Sequence, residues 1–386
     1  MIIKQRLQPF VLLFFSLIAI PILTSVFAAT RITYSGAEPD LDEYLLTKPV
    51  TDFVSSHSSE AVGDNVYLPL IASEVHRTAF DLDVSGDLVY LALSSTEYYS
   101  GRLQIIDVSN STSPMEIGFY DIPGSVMSVA VSGDYAYVAA SWTGAPFTGG
   151  LHIIDVSDPT APMEIGFYDT TGEPQGVAVS GDYAYFADGD GGLRIINVAN
   201  PSAPVEVGFY DAGWYAGDVE VVGNYSYVVA PGSGLRIFDV SDPSDPTETG
   251  VFYKQCEVES VAVVGNYAYV ADGCAGLRIV NIENPSAPTE IGFYDPEDDD
   301  TEGWYHDVAV EGDYAYVAAV LGGLRILNIE NPSNPTEIGF FDTEDTERWY
   351  LAVAVEGDYA YVAAGWDGLR IIDVSDPSNP SEIGVN

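Results

Sequence analysis

A sevenfold internal repeat constrains this 386-residue chain more than any other feature. The string Gly-Asp/Asn-Tyr-Ala-Tyr-Val-Ala, or a near variant, begins at Gly86, Gly133, Gly181, Gly223, Gly265, Gly312 and Gly357, at intervals of 42 to 48 residues. Further along each copy comes Gly-Leu-Arg-Ile-Ile-Asp-Val, as in Gly368 to Val374, then Asn/Asp-Pro-Ser-x-Pro. Glu-Ile-Gly-Phe-Tyr-Asp closes the unit, as in Glu290 to Asp295. The first copy diverges most, with Leu88 in place of the first Tyr and Gln104 in place of Arg. A fixed period of this length marks units that bury their faces against one another rather than each forming its own core.

The fifth copy shows the expected elements. Ser260–Val264, Tyr267–Asp272, Leu277–Ile282 and Glu290–Asp295 are short runs rich in β-branched and aromatic residues, the composition of strands. Gly265-Asn266 is a two-residue hairpin signal. The Asn284-Pro285-Ser286-Ala287-Pro288 run is a turn, because Pro fixes φ and removes a ladder donor. Tyr267 and Tyr269 point to one face of their strand and Ala268 and Val270 to the other, so both faces are apolar. A sheet of that kind must lie between two like sheets, whereas a sandwich would leave one face polar. With no amphipathic helix in the repeats, the expectation is an all-β, seven-bladed β-propeller of four-stranded antiparallel blades.

Outside the repeats, residues 1–28 read as a signal peptide. Lys4 and Arg6 form a basic start, an apolar run follows from Phe10 to Ala29, and Val26-Phe27-Ala28 offers a cleavage site. Retention of the run as an anchor is the alternative. Residues 29–79 read as a polar arm with one strand-like run, Val66 to Ile71, whose Pro69 only an edge strand tolerates. Residues 80–386 are the propeller. Leu-Arg-Ile-Ile-Asp-Val at Leu369 to Val374, with its equivalents, resembles the core of the LVIVD-repeat proteins, a family of surface or secreted propellers. The resemblance runs from Phe80 to Asn386, with Asn in place of the motif's Asp at Asn197, Asn281 and Asn328. It implies a secreted or cell-surface location and carries over no catalytic residue.

Charge narrows the partners. The chain has 58 acidic residues against 13 basic ones, a formal net charge of −45. Such a field repels phosphate backbones and anionic lipid headgroups and attracts cations. Nucleic acid is therefore not an expected partner, and no membrane-spanning segment is expected after signal cleavage.

Loops on one face, the upper one, vary widely in length among the copies, while the Gly-Asp hairpins and Pro-Ser turns on the other barely change. All five Trp residues fall in the variable upper loops: Trp142, Trp214, Trp304, Trp349 and Trp366. Three form Trp-Tyr pairs with Tyr215, Tyr305 and Tyr350. Aromatic rings beside carboxylates suit sugar rings or a protein partner. The competing explanation is that the rings cap the blade ends. Trp214, Trp304 and Trp349 precede the first strands of their blades at similar offsets, which predicts a partial aromatic collar. The expected function is a binding module outside the cytoplasm that engages a glycan or protein. A hydrolase or lyase acting on polysaccharide through upper-loop acids is the alternative, and a structural cell-surface component is a third reading.

Further expectations concern metal, catalysis and redox chemistry. Asp81, Asp218 and Asp307 open the innermost strands, and Asp83 and Glu220 replace a small residue farther along, so these acids could converge on a calcium ion at the channel mouth. The acidic runs Glu297 to Glu302 and Glu344 to Glu347 are a second, weaker calcium candidate. His57, His76, His152 and His306 are scattered, and no catalytic motif is present. Cys256 and Cys274, the only cysteines, would lie nearly opposite across the fifth hairpin and are expected to form a disulfide in an oxidising compartment.

Overall fold

The computed structural model describes residues 77–95, 100–141, 149–170, 172–211, 213–253, 257–295, 304–342 and 349–386. The expected signal peptide and nearly all of the expected arm, Val66 to Ile71 included, lie outside the described residues. Over the described residues the chain forms seven four-stranded sheets, each made from four consecutive antiparallel strands. Blades one to seven span 78–123, 125–170, 176–210, 218–252, 260–294, 304–341 and 352–385. In blade five the strands are Ser260–Val264, Tyr267–Ala271, Leu277–Asn281 and Thr289–Tyr294, within one residue of expectation at every end. Blade one starts at Thr78, two residues ahead of the expected boundary. In all seven Gly-Asp/Asn hairpins the Gly has φ between 59° and 63°, the left-handed conformation that a primed turn demands.

The core lies between blades rather than within them. Tyr90, Ala92, Leu103 and Ile105 of blade one pack on Val126, Val129, Val138 and Ile154 of blade two, and like clusters fill the other seams. The second Tyr of each Tyr-x-Tyr strand is buried there, as at Tyr137, Tyr185, Tyr269 and Tyr361.

The two most regular motifs interlock one blade with the next. Every third-to-fourth strand pairing has a bulge at the same place, between Ile279 and Val280 in blade five. The bulge brings Glu290 opposite Val280 and Phe293 opposite Arg278, so acid and ring, three residues apart, share one face. The Gly between them lies against the next blade's Pro-Ser turn: a Cβ on Gly250 would stand 2.0 Å from the Pro285 carbonyl oxygen. The following Tyr reaches forward as well. Tyr168 donates to Glu206 of blade three at 3.1 Å, Tyr210 to Glu248 at 3.1 Å and Tyr294 to Glu337 at 3.0 Å.

Ring closure reuses this seam without exchanging a strand. Gly384 of blade seven meets Ser111 of blade one as the other glycines meet their prolines. The Ala79 amide donates to the Gly365 carbonyl at 2.8 Å. Leu82, Leu91 and Ile106 of blade one share a cluster with Tyr361, Leu369 and Ile371 of blade seven. Blade seven completes its own sheet with Ser381–Val385.

Candidate functional site: upper loops and central channel

First strands are the inner edges of their sheets, so alternate amides there have no partner in the ladder. Carboxylates supply it. Asp81 accepts the amides of Leu82 at 2.8 Å and of Val129, on blade two, at 2.9 Å. Asp83 does the same with Val84 and Val131, both at 2.7 Å. Asp307 takes the amides of Val308 and of Val353, on blade seven, both at 2.8 Å, and the Ser260 hydroxyl at 2.6 Å. Asp218 accepts the Val219 amide at 2.8 Å.

These acids face a channel cavity of about 310 Å³ lined also by Glu220, Ser128 and small apolar residues. They occupy the axis as expected, but their oxygens bond sideways and staple neighbouring blades. All five residues of the expected calcium site, Asp81, Asp83, Asp218, Glu220 and Asp307, line this channel, and among the described residues no group of three or more His, Cys, Asp or Glu is disposed to hold a metal ion. The acidic runs 297–302 and 344–347 lie outside the described residues.

Burial, with mutual repulsion added, disfavours charge in the channel. It lifts Asp81 to about 8 against the pull of the Val129 amide. Glu220 also rises to about 8, through burial and then the fields of Asp218, Asp307 and Asp83. Asp218 rises to about 6, again chiefly through burial.

The upper face differs from the expected collar. Trp214 is half-buried, 6.1 Å from the Phe238 ring, with the Arg236 guanidinium 5.4 Å from its centroid. It replaces the Phe that other blades put under this Arg, since Arg236 stands opposite Val251. Tyr215 is half-buried against Gly189, and burial followed by the Glu173 carboxylate pushes its phenol well up. Trp304 begins a strand rather than sitting in a loop. Its indole lies over Gly273 and donates to Glu259 at 2.7 Å.

Tyr305 and Tyr350 are each 1% exposed, core residues of the seams beside them, and so leave the set of upper-face ligand contacts. Trp304 and Tyr305 are adjacent in a strand and so point to opposite faces, which puts Tyr305 in the seam. Trp142 lies outside the described residues. Trp349 is half-buried and stacks on Trp366, with centroids 6.0 Å apart at 30°. Trp366 alone among the four described Trp residues is freely accessible, 70% exposed. Its turn is fixed by bonds from Ala364 to Gly368 at 2.8 Å and from Asp367 to Ala364 at 3.0 Å.

Several polar groups escape sequence reasoning. Asp188 is fully buried at the foot of an Asp-Gly-Asp-Gly-Gly turn, bonded by the Thr170 hydroxyl at 2.7 Å and the Gly172 amide at 3.2 Å. Burial lifts it to about 6 despite Arg194 nearby. The signal was the Asp-Gly-x-x-Gly pattern, shared with Asp272 to Gly276. His306 Nδ1 is 2.7 Å from the Leu351 carbonyl, an oxygen that can only accept, so that nitrogen is the donor. Glu259 across the mouth is pushed up by burial and held back by His306 and the Trp304 N–H.

His152, in the slot usually held by Arg, also bridges acid and ring, lying 2.9 Å from Glu164 and 4.6 Å from the Phe167 ring. The basic side chains that are described are seven Arg, and every one is ion-paired. Arg77 and Arg102 meet Asp121, Arg194 meets Glu206, Arg236 meets Glu248, Arg278 meets Asp272, Arg325 meets Glu337 and Arg370 meets Asp367.

The LVIVD-repeat profile matches residues 76–122, 123–170, 171–212, 213–253, 256–296, 302–343 and 351–385, one match per blade. The chain belongs to the LVIVD-repeat family. No curated protein matches it in sequence. Among solved structures, the computationally designed Ika8 protein is similar with a TM-score of 0.57 at 11% identity, covering 81% of this chain and 89% of its own. A catalytically inactive variant of virginiamycin B lyase from Staphylococcus aureus, with quinupristin, gives 0.58 at 13%, covering 77% and 95%. The selenomethionine form of that lyase gives 0.56 at 14%, covering 77% and 94%. At these identities the likeness is one of fold alone. Among the described residues of this LVIVD-repeat propeller, no helix is long and apolar enough to cross a membrane.

Proposed function

We propose that this LVIVD-repeat propeller is an exported binding module whose upper face engages a glycan or protein. The observation that carries this is Trp366, 70% exposed on a hydrogen-bonded turn and backed by Trp349. A large ring held open to solvent on a rigid scaffold is an anchor in waiting, since Trp dominates binding energies wherever it can be desolvated. Of the other described Trp rings, Trp214 leans on Phe238 of its own blade and Trp304 on Gly273 and Glu259 of the blade before it. The test is Trp366→Ala, assayed on glycan and peptide arrays. Binding should fall on whatever the parent chain captures, and the melting temperature should stay within about 1 °C, as for exposed positions generally. Unchanged capture, or a drop of many degrees, would make the ring a cap.

Export also carries a redox expectation. The leader implies an oxidising compartment, and no free cysteine occurs among the described residues. Cys256 lies outside the described residues, while Cys274 sits in the turn between the second and third strands of blade five. A bond between them would staple two upper loops and contribute roughly 3 kcal/mol. Intact mass under non-reducing denaturation should show no alkylated thiol. Two alkylated thiols would exclude the bond.

A further inference from the structure

We infer that the Trp366 anchor takes a cationic partner, a basic segment of another protein presenting Arg or Lys, rather than a neutral sugar. This deepens the binding-module reading and rests on it. Two observations carry it, one of charge and one of geometry.

The first is the state of the basic side chains. The described surface bears only seven, all Arg, and each is held by a carboxylate of its own chain at 2.7 to 3.5 Å. Most are further covered by a ring: Arg102, Arg194, Arg278 and Arg325 lie 3.7 to 5.1 Å from the centroids of Phe119, Phe209, Phe293 and Phe340. No cation on the described surface is left to receive a uronate, a sulfate or an acidic peptide. The chain as a whole has a net charge of −45. Its long-range field therefore gathers cations and rejects anions before any contact forms.

The second is what stands at the anchor. Trp366 is 70% exposed, with the Trp349 ring beside it at a centroid distance of 6.0 Å. Next to it Asp367 keeps its side chain 36% exposed while pairing with Arg370, whose own side chain is only 6% exposed. An indole face is the best of the side-chain rings for a cation, and guanidinium is the commonest guest. This chain already uses that pairing inside itself, as Arg236 over Trp214 shows. Trp366 is the one open Trp among the described residues and offers a sugar one indole to stack on, whereas a glycan-binding groove needs several at sugar spacing. A cation gains from one ring and from the surrounding field together.

The experiment titrates the mature chain with hexa-arginine, a neutral chitin hexasaccharide and an acidic oligogalacturonate, following Trp fluorescence and calorimetry. Hexa-arginine should bind at about 20 mM salt and be released by about 0.5 M salt, while the oligogalacturonate does not bind. Trp366→Ala should weaken hexa-arginine about two- to fivefold, and Trp366→Phe should recover part of the loss. Equal affinity of the parent and Trp366→Ala for hexa-arginine would overturn the proposal, because bulk charge alone would then explain binding. Trp366-dependent capture of the neutral hexasaccharide would overturn it too, yet leave the binding-module reading standing. If no probe depends on Trp366, both readings fall.

Discussion

Replacing Gly250 with Ala should destabilise the propeller by about 3 kcal/mol or more, a loss of roughly 6 °C in melting temperature. The backbone at Gly250 is ordinary strand, so nothing about φ requires a glycine there. What requires it is the neighbour: an added Cβ would stand 2.0 Å from the Pro285 carbonyl oxygen and 3.2 Å from the Pro288 ring. The oxygen belongs to a turn stiffened by two prolines, so it cannot retreat as a flexible side chain would. Gly223→Ala is the informative control. It places Ala at a φ of +63° but in open space, and costs only about 1–2 kcal/mol of backbone strain. Chemical denaturation of both variants ranks the two effects. If Gly250→Ala proves the milder, the blades slide past one another and the interlock does not hold them.

Glu220→Gln should raise the melting temperature at pH 8 and leave it unchanged at pH 4. Glu220 titrates near 8 in the folded channel, raised chiefly by burial. An unfolded glutamate titrates near 4.3. Below that value both states hold the proton and Glu220 costs nothing. As pH rises from about 4 to 8, the unfolded chain releases the proton first, so folding stability falls by up to about 1.4 kcal/mol per pH unit for such a group. Asp81 and Asp218, also raised by burial, push in the same direction. Opposing them, Asp107, Asp155, Asp239 and Asp373 have lowered values, because a Ser hydroxyl and amide two residues on bond to each, and they lose that support only in strong acid. The propeller should therefore be most stable in mild acid. A melting temperature for Glu220→Gln that tracks the parent chain at every pH would mean that Glu220 ionises freely in the channel.

The period and the two-faced strands made the propeller legible down to single strand ends, because each blade repeats the same pattern seven times over. The site was less legible, and for specific physical reasons. Tyr305 and Tyr350 looked like companions of Trp304 and Trp349 in sequence, yet both are core residues, Tyr305 because strand neighbours turn to opposite faces. The channel acids are legible as the openings of the first strands, but a single repeat does not display the amides of the next blade. Asp81 and Val129 are 48 residues apart, and only the closed ring shows the carboxylate what it bonds. Trp214 lies ahead of its strand as its sequence context suggests, but the distant Val251 that leaves Arg236 without a Phe is what draws its ring inward.

The seam has one further consequence, for how such a ring can change its size. Each blade carries a socket, the turn before its fourth strand, and a plug, the bulged Gly, to which blades two, three and five add a Tyr that bonds the next blade's Glu, and the plug of one fits the socket of the next. No strand is lent across the closing junction, so the last blade joins the first by the same plug, Gly384, and a socket formed by Ser111. A stretch of gene encoding any one period, wherever it starts, therefore encodes a complete plug and a complete socket. Duplication or loss of such a stretch inserts or removes a sector without leaving an unmatched surface. The near-identity of the lower motifs beside the freely varying upper loops is the pattern that copying followed by local divergence would leave.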